Sequence, residues 1–335
     1  VKAVKNELDK HMHLMVYGEF VQYPQVKFAE LLTPQLPDPL NNIYFVNSGS
    51  EANEGALKLA KRFTGKTEII ACTQAYHGST HGAISLMGDE KFRNPFRPLL
   101  PDIRYIDFNN EDHLEQISRR TACVIVEPIQ AEAGIILPEH AYLSKLRDRC
   151  NETGTLLIFD EVQTGFGRTG DLFAMKKYGV TPDIFTIAKG MGAGMPIGAF
   201  VAPKNIMDSL KAKPGLGHIT TFGGHPVSAA AAHKSLEIIL REKLFDKAQP
   251  KGKQYFKELN HPKIQNMWGT GLFIAVELEN EEITVKAMKQ LASKGLLTDQ
   301  FIFKPNAFRI APPLTIQPDE ISESVERIKA ALDTI

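Results

Sequence analysis

Short apolar runs that alternate with helix-like stretches constrain this chain more than any single motif does. Ile43-Tyr44-Phe45-Val46 reads as a buried strand. Residues 51–63 follow, with apolar side chains at 52, 56, 59, 60 and 63 forming one helical stripe. Lys61 and Arg62 fall in the last turn of that stripe and Gly65 lies just beyond it, as a helix C-terminus prefers. Further strand-like runs are Ile69-Ile70-Ala71, Val124-Ile125-Val126, Leu156-Leu157-Ile158-Phe159, Ile184-Phe185-Thr186-Ile187-Ala188 and Gly198-Ala199-Phe200-Val201. Residues 142–152 read as a helix between two of them. The alternation predicts an α/β fold, with a mostly parallel central sheet flanked by helices.

Residues 226–240 read as a long alanine-rich helix, and the pattern changes after it. Leu272-Phe273-Ile274-Ala275-Val276, a helix over 284–295 and a final helix over 318–332 predict a smaller α+β C-terminal domain. The expected division is an N-terminal segment 1–20, a large domain 21–240 and a small domain 241–335. A chain of 335 residues is long enough for both. Val1-Lys2-Ala3-Val4-Lys5 resembles neither a signal peptide nor a natural start, so an upstream part is expected.

Lys+Arg and Asp+Glu both total 39, so the formal charge is zero and exerts no general pull toward nucleic acid or an anionic membrane. No apolar run approaches the roughly 18–20 residues that span a bilayer. Cys72, Cys123 and Cys150 are odd in number and lack metal-ligand spacing. They read as reduced thiols packed as small hydrophobes, which predicts a cytoplasmic protein without a metal site.

Four features carry chemistry. Asn47-Ser48-Gly49-Ser50-Glu51-Ala52-Asn53 joins a strand to a helix, and Ser48 and Glu51 have capping-box spacing. Free N–H groups at such a helix start favour a phosphate; an ordinary capped helix is the other reading. Leu157-Ile158-Phe159-Asp160-Glu161 places a carboxylate at the C-terminal end of a strand, where open α/β sheets hold ligands. Asp160 and Glu161 are adjacent and point opposite ways, so one of them faces a cleft and suits a partner for a buried cation; a metal ligand is the other reading, with no His or Cys nearby in sequence to support it. Ile187-Ala188-Lys189-Gly190-Met191-Gly192 ends a strand on a lysine. Partial desolvation there would lower its pKa and make it a nucleophile for a carbonyl; a phosphate-binding lysine is the alternative. Thr220-Thr221-Phe222-Gly223-Gly224-His225-Pro226 offers hydroxyls for a phosphate oxygen, or a plain helix-entry turn. Asp160 and Lys189, about thirty residues apart, fit one strand–helix–strand step that brings both to one sheet edge. An anion cradle, a carboxylate and a lysine are the minimum equipment for pyridoxal 5'-phosphate (PLP).

These segments, together with 126–134, 158–170, 181–192 and 309–316, resemble the class III (fold-type I) PLP aminotransferases. The nearest subgroup is the acetylornithine and ornithine aminotransferases. The resemblance implies that Lys189 carries the cofactor as a Schiff base and shuttles the substrate proton. It implies that Asp160 pairs with the pyridine nitrogen, that Val162 and Tyr76 (in Tyr76-His77-Gly78) pack on the two ring faces, and that Gln163 hydrogen-bonds the ring hydroxyl. Gly49 and Ser50 would hold the phosphate with Thr221 from a partner subunit, so a homodimer is expected. Arg309 would bind a substrate carboxylate and Glu132 would cover it; Tyr17 would line the substrate pocket. The implied reaction moves an amino group from an ω-amino donor to 2-oxoglutarate, giving an aldehyde and glutamate. A different amino donor, an aminomutase of the glutamate-1-semialdehyde type and a non-catalytic relative stay open. A nicotinamide dehydrogenase would need a Gly-x-Gly-x-x-Gly run directly after a strand, leading into a helix with an acidic residue beyond, and the chain has no run in that setting. One departure bears on the substrate. Where acetylornithine and ornithine members carry a carboxylate-binding arginine after His-Gly, this chain has Ser79, which cannot supply a bidentate charged grip.

Overall fold

Consecutive apolar residues need cover on both faces, and the central sheet supplies it. The computed structural model describes residues 1–14, 20–139, 141–211, 214–215 and 217–335. Among them, seven strands form one sheet: β1 (Asn42–Val46), β2 (Glu68–Cys72), β3 (Ile103–Ile106), β4 (Thr121–Val126), β5 (Leu156–Asp160), β6 (Ile184–Ile187) and β7 (Gly198–Ala202). Their spatial order is β1-β7-β6-β5-β4-β2-β3. The pairs β2/β3, β2/β4, β4/β5 and β5/β6 are parallel, and β7 runs against both of its neighbours.

The period of two sorts each strand between two apolar layers. Ile70, Val124, Val126, Leu157 and Phe159 point into one layer, covered by the helices Tyr142–Thr153 and Pro226–Arg241. Ile69, Cys123, Ile125 and Ile158 point into the other, where the Gly49–Thr64 helix lays down Ala52, Ala56, Leu59 and Ala60. That helix ends with Gly65 in the left-handed conformation at φ 69°, its N–H bonded to the Lys61 carbonyl. β1 departs from the expectation of a buried strand. It is an edge strand, and of its five residues Val46 alone is fully buried.

A smaller antiparallel sheet follows, of β8 (Asn266–Thr270), β9 (Phe273–Glu277) and β10 (Ala307–Ile310), in the order β10-β9-β8. The helices Leu244–Glu258, Glu281–Ser293 and Pro318–Leu332 pack on the face that carries Ile274, Val276, Phe308 and Ile310. The opposite face carries Phe273, Ala275 and Ala307, which meet Ile129, Ala131 and Ile135 of the loop after β4. Arg309 is two residues beyond Ala307, so it projects from that same face toward the large sheet. No helix among the described residues is long and apolar enough to cross a membrane.

At the end of β5 the chain divides its two acids between separate surroundings. Asp160 faces the end of the sheet. Glu161 turns away into a buried pocket, where it accepts hydrogen bonds from Thr164 Oγ1 (2.5 Å) and from the N–H groups of Ala174 (2.9 Å) and Met175 (2.7 Å). Burial pushes the Glu161 carboxyl up from 4.5 to about 7, with those hydrogen bonds opposing. The folded protein therefore holds a proton that the unfolded chain releases between 4.5 and about 7, and stability falls as pH rises through that interval. Glu161→Gln should remove this component. Urea unfolding at both ends of the interval should show a shallower pH dependence in the variant than in the parent; an unchanged slope would contradict the assignment.

Candidate active site

The loops after β1, β2, β4, β5 and β6 all emerge at one edge of the sheet, where a cavity of about 810 Å³ opens. Gly49, Ser50, Tyr76, His77, Asp160, Val162, Gln163 and Lys189 line it together. Eight residues spread over 140 positions of sequence thus meet as expected, on the C-terminal side of parallel strands. Asp160 pairs in register with Thr186, three residues before Lys189. The acid and the lysine therefore leave neighbouring strands at the same level.

The Asp160 carboxyl is buried, and its neighbours decide its charge. Oδ2 accepts hydrogen bonds from His77 Nδ1 (2.8 Å) and Asn53 Nδ2 (2.8 Å), and Oδ1 accepts from the Val162 N–H (3.0 Å). Burial alone would push the carboxyl up; the bonds from His77, Val162 and Asn53 outweigh it and hold Asp160 below the usual range. An ionised carboxylate only accepts, so Nδ1 of His77 is the protonated nitrogen. Nε2 of the same ring is buried without a hydrogen-bond partner. Asn53 is fixed in turn by donating to the His77 carbonyl (2.7 Å) and accepting from Thr186 Oγ1 (2.7 Å).

Lys189 is the opposite case. Burial lowers its pKa, while the charges of Asp160, Glu127 and Glu132 pull it back up. Its backbone stands at φ 45°, in the left-handed region that a lysine seldom adopts and that clusters at functional sites.

The anion end is built by the Gly49–Thr64 helix. Ser48 caps it by accepting from the Glu51 N–H (3.1 Å). The reciprocal half of the expected capping box is different: Glu51 reaches past Ser48 to accept from Asn47 N–H and Nδ2, both at 2.8 Å. Gly78 (φ 125°) lies directly over Ser50, and a Cβ there would stand 2.2 Å from Ser50 Oγ. Thr80 continues the polar rim, sharing a 2.7 Å hydrogen bond with Ser50 Oγ and donating to Glu54 at 2.8 Å.

Behind Gln163 stands an ion pair. Arg309 Nη2 donates to both oxygens of Glu132 (2.8 and 2.9 Å), Nη1 donates to Gln163 Oε1 (3.1 Å), and Gln163 Nε2 donates to Glu132 Oε1 (2.9 Å). Arg309 and Glu132 border the cavity through Gln163 rather than lining it. One further expected residue is not among those that line the cavity. Thr221 is exposed and does not line the cavity of its own chain, although its neighbour Thr220 accepts a hydrogen bond from the cavity-lining Asn47 (2.9 Å). Tyr17 lies outside the described residues.

Sequence reasoning missed Asn53 and Glu127. Glu127 directly follows β4, as Asp160 closes β5, so the strand-end argument applies to it equally. It lines the cavity, accepts from the N–H groups of Tyr76 (3.2 Å) and Ala131 (2.9 Å), and is pushed up to about 7 by burial. Asn53 sits one turn inside a helix, where only the fold shows that its amide points at Asp160.

A helix N-terminus closed over by a glycine, an ionised buried carboxylate and a desolvated strand-end lysine around one cavity fit the phosphate, pyridine nitrogen and carbonyl of PLP. Comparison with known proteins agrees. The aminotransferase class III family model matches residues 1–332. The chain is 38% identical to an acetylornithine aminotransferase of Bacillus cereus, covering 100% of this chain and 85% of that protein. It is 37% identical to one of Methanopyrus kandleri, covering 99% and 84%. Among solved structures, a transaminase of the marine bacterium Virgibacillus superposes with a TM-score of 0.91 at 29% identity, covering 99% of this chain and 84% of that one. The ornithine aminotransferase of Toxoplasma gondii gives 0.90 at 29% identity, covering 100% and 82%. Another structure of that Toxoplasma enzyme has partial occupancy of PLP at its active site. Sequence, architecture and site chemistry agree, and the chain belongs to the class III aminotransferases, enzymes that work with PLP.

Proposed function

We propose that the protein transfers the terminal amino group of an ornithine- or acetylornithine-like donor to 2-oxoglutarate, releasing an aldehyde and glutamate. The Glu132–Arg309 pair beside Gln163 carries this reading. A guanidinium covered by a carboxylate leaves a neutral wall for a donor, and uncovered it grips an acid. The relatives named acetylornithine aminotransferase lend support.

Bound in the cavity, PLP supplies an electron sink for the charge left when a proton leaves the amine-bearing carbon. The residues of the chain do the rest. Gly49, Ser50 and the helix N-terminus hold the phosphate. Asp160, kept ionised by His77 and Asn53, holds the proton on the pyridine nitrogen. Tyr76 and Val162, which both line the cavity, would pack against the ring. Gln163 has a second amide hydrogen for the ring hydroxyl, since one is given to Glu132. Lys189 Nζ, made easier to deprotonate by burial, would hold the cofactor and would take up the proton that leaves the substrate's amine-bearing carbon.

The active form is a homodimer in which Thr221 of the partner subunit reaches the phosphate. Exposed Phe20, Val21, Tyr23, Ile219 and Phe222 support a covered apolar face. The 219–225 loop is tied to the N-terminal helices by bonds from Gln25 to the Gly224 carbonyl and from His225 Nε2 to that of Met12 (3.2 Å).

Three outcomes are expected. Lys189→Ala should abolish turnover and the visible absorption band of the bound cofactor; full activity in that variant would end the assignment. Phe222→Glu should give a monomer in sedimentation and lower activity together, whereas an active monomer would refute the shared site. Ser79 is exposed at the cavity mouth, its hydroxyl 2.9 Å from that of Tyr76. Ser79→Arg should therefore raise kcat/KM for acetylornithine roughly ten- to hundredfold, the range of one added charge-assisted contact. No gain would show that the donor carboxylate is gripped elsewhere.

A further inference from the structure

A guanidinium that alternates between a glutamate and a substrate acid needs a support that stays when the glutamate leaves. In the closed arrangement Arg309 gives Nη2 to Glu132 and Nη1 to Gln163, and its Nε is buried without a partner. Once Glu132 turns away, one hydrogen bond to Gln163 is left. The other contact that persists is the ring of Phe301, fully buried, with its centroid 4.9 Å from Arg309 Cζ.

The segment that brings this ring also fixes the main chain of the glutamate. The Phe303 N–H donates to the Glu132 carbonyl (3.0 Å), while the Ile302 N–H makes a longer bond to the side-chain oxygen Glu132 Oε2 (3.4 Å). From the other side Trp268 Nε1 donates to the Gly134 carbonyl (2.7 Å), and Gln130 and Ile136 exchange backbone hydrogen bonds. Buried Ile135 is held at φ 59°, a left-handed conformation that a β-branched residue adopts only under constraint. The loop under Glu132 is pinned on both sides. In the proposed alternation the pair opens by rotation of the Glu132 side chain, which breaks the long bond from Ile302, with Arg309 left in place.

We propose that Phe301 is a specificity-determining residue of this site: its ring face holds the Arg309 guanidinium in the acid-binding position after Glu132 departs, and so sets the affinity for a dicarboxylic acceptor. The attraction is between a cation and the ring quadrupole in a water-poor setting, where it is strongest. Phe301 is a positioning residue; it acts on the acceptor through Arg309 and leaves the donor alone. The inference rests on reading Arg309 as the acceptor-carboxylate site.

The test uses the holoenzyme and glutarate, a dicarboxylate without a reactive carbonyl. Glutarate binding is measured by calorimetry beside the KM values for 2-oxoglutarate and ornithine. Phe301→Leu should weaken glutarate binding and raise the KM for 2-oxoglutarate by roughly three- to thirtyfold, with the donor KM unchanged. Leucine also leaves a void, so a second arm places phenylalanines of increasing fluorine content at position 301. These keep the shape and drain the ring face, and each added fluorine should weaken glutarate binding further. Glutarate affinity indifferent to fluorination would overturn the proposal, as would equal losses for donor and acceptor in Phe301→Leu. A parent enzyme that transfers no ω-amino group to 2-oxoglutarate would overturn the proposed function itself, and this inference with it.

Discussion

A carboxylate that stays charged while buried is the condition on which this site depends. Water would normally solvate Asp160; here three hydrogen bonds do so. Each donor is fixed by something further out. Asn53 is held between the His77 carbonyl and Thr186, on the next strand. The Val162 N–H is placed by the turn that follows β5. The network thus spans a helix, the loop after β2 and two strands, and it forms only when the sheet has the right register. This is why a negative charge can face a cavity floor without taking up a proton, and why the lysine one strand away experiences both desolvation and a balancing field.

The second constraint is the seam between the two sheets. The inner face of the small sheet meets the loop after β4 through apolar residues, and the same face carries Arg309. The strand period that buries Ala307 therefore also aims the guanidinium. The Glu132–Arg309 pair borders this contact, so it sits where two parts of the chain press together. Rigid neighbours on both sides leave a side-chain rotation as the simplest freedom of the pair, which suits the proposed alternation.

Much of this was legible in the sequence because it follows from strand periodicity and strand ends. The parallel runs, the Gly49–Thr64 helix with its Gly65 stop, and the meeting of Asp160 with Lys189 needed no partner information. β3, β8 and β10 were not visible: Ile-Arg-Tyr-Ile, Asn-Met-Trp-Gly-Thr and Ala-Phe-Arg-Ile are short and mix apolar with polar residues. The burial of β1 was overstated because a strand's apolar content does not reveal that it lies at an edge. Glu127 obeys the same strand-end rule as Asp160 and was passed over because no motif drew attention to it. Asn53 and Phe301 act through contacts with residues far away in sequence, and no local pattern encodes those contacts.

The reversed direction of β7 has a consequence for how such a chain can change. Because β7 runs against its neighbours, the segment entering it, Met195-Pro196-Ile197, borders the cavity. The segment leaving it, from Pro203 onward, emerges at the far rim of the sheet. Insertions and deletions in the few residues just after Ala202 fall on the rim away from the cavity, whereas a single residue gained or lost before Gly198 would shift the cavity wall. Length variation in this fold is therefore cheap on one side of a five-residue strand and expensive on the other.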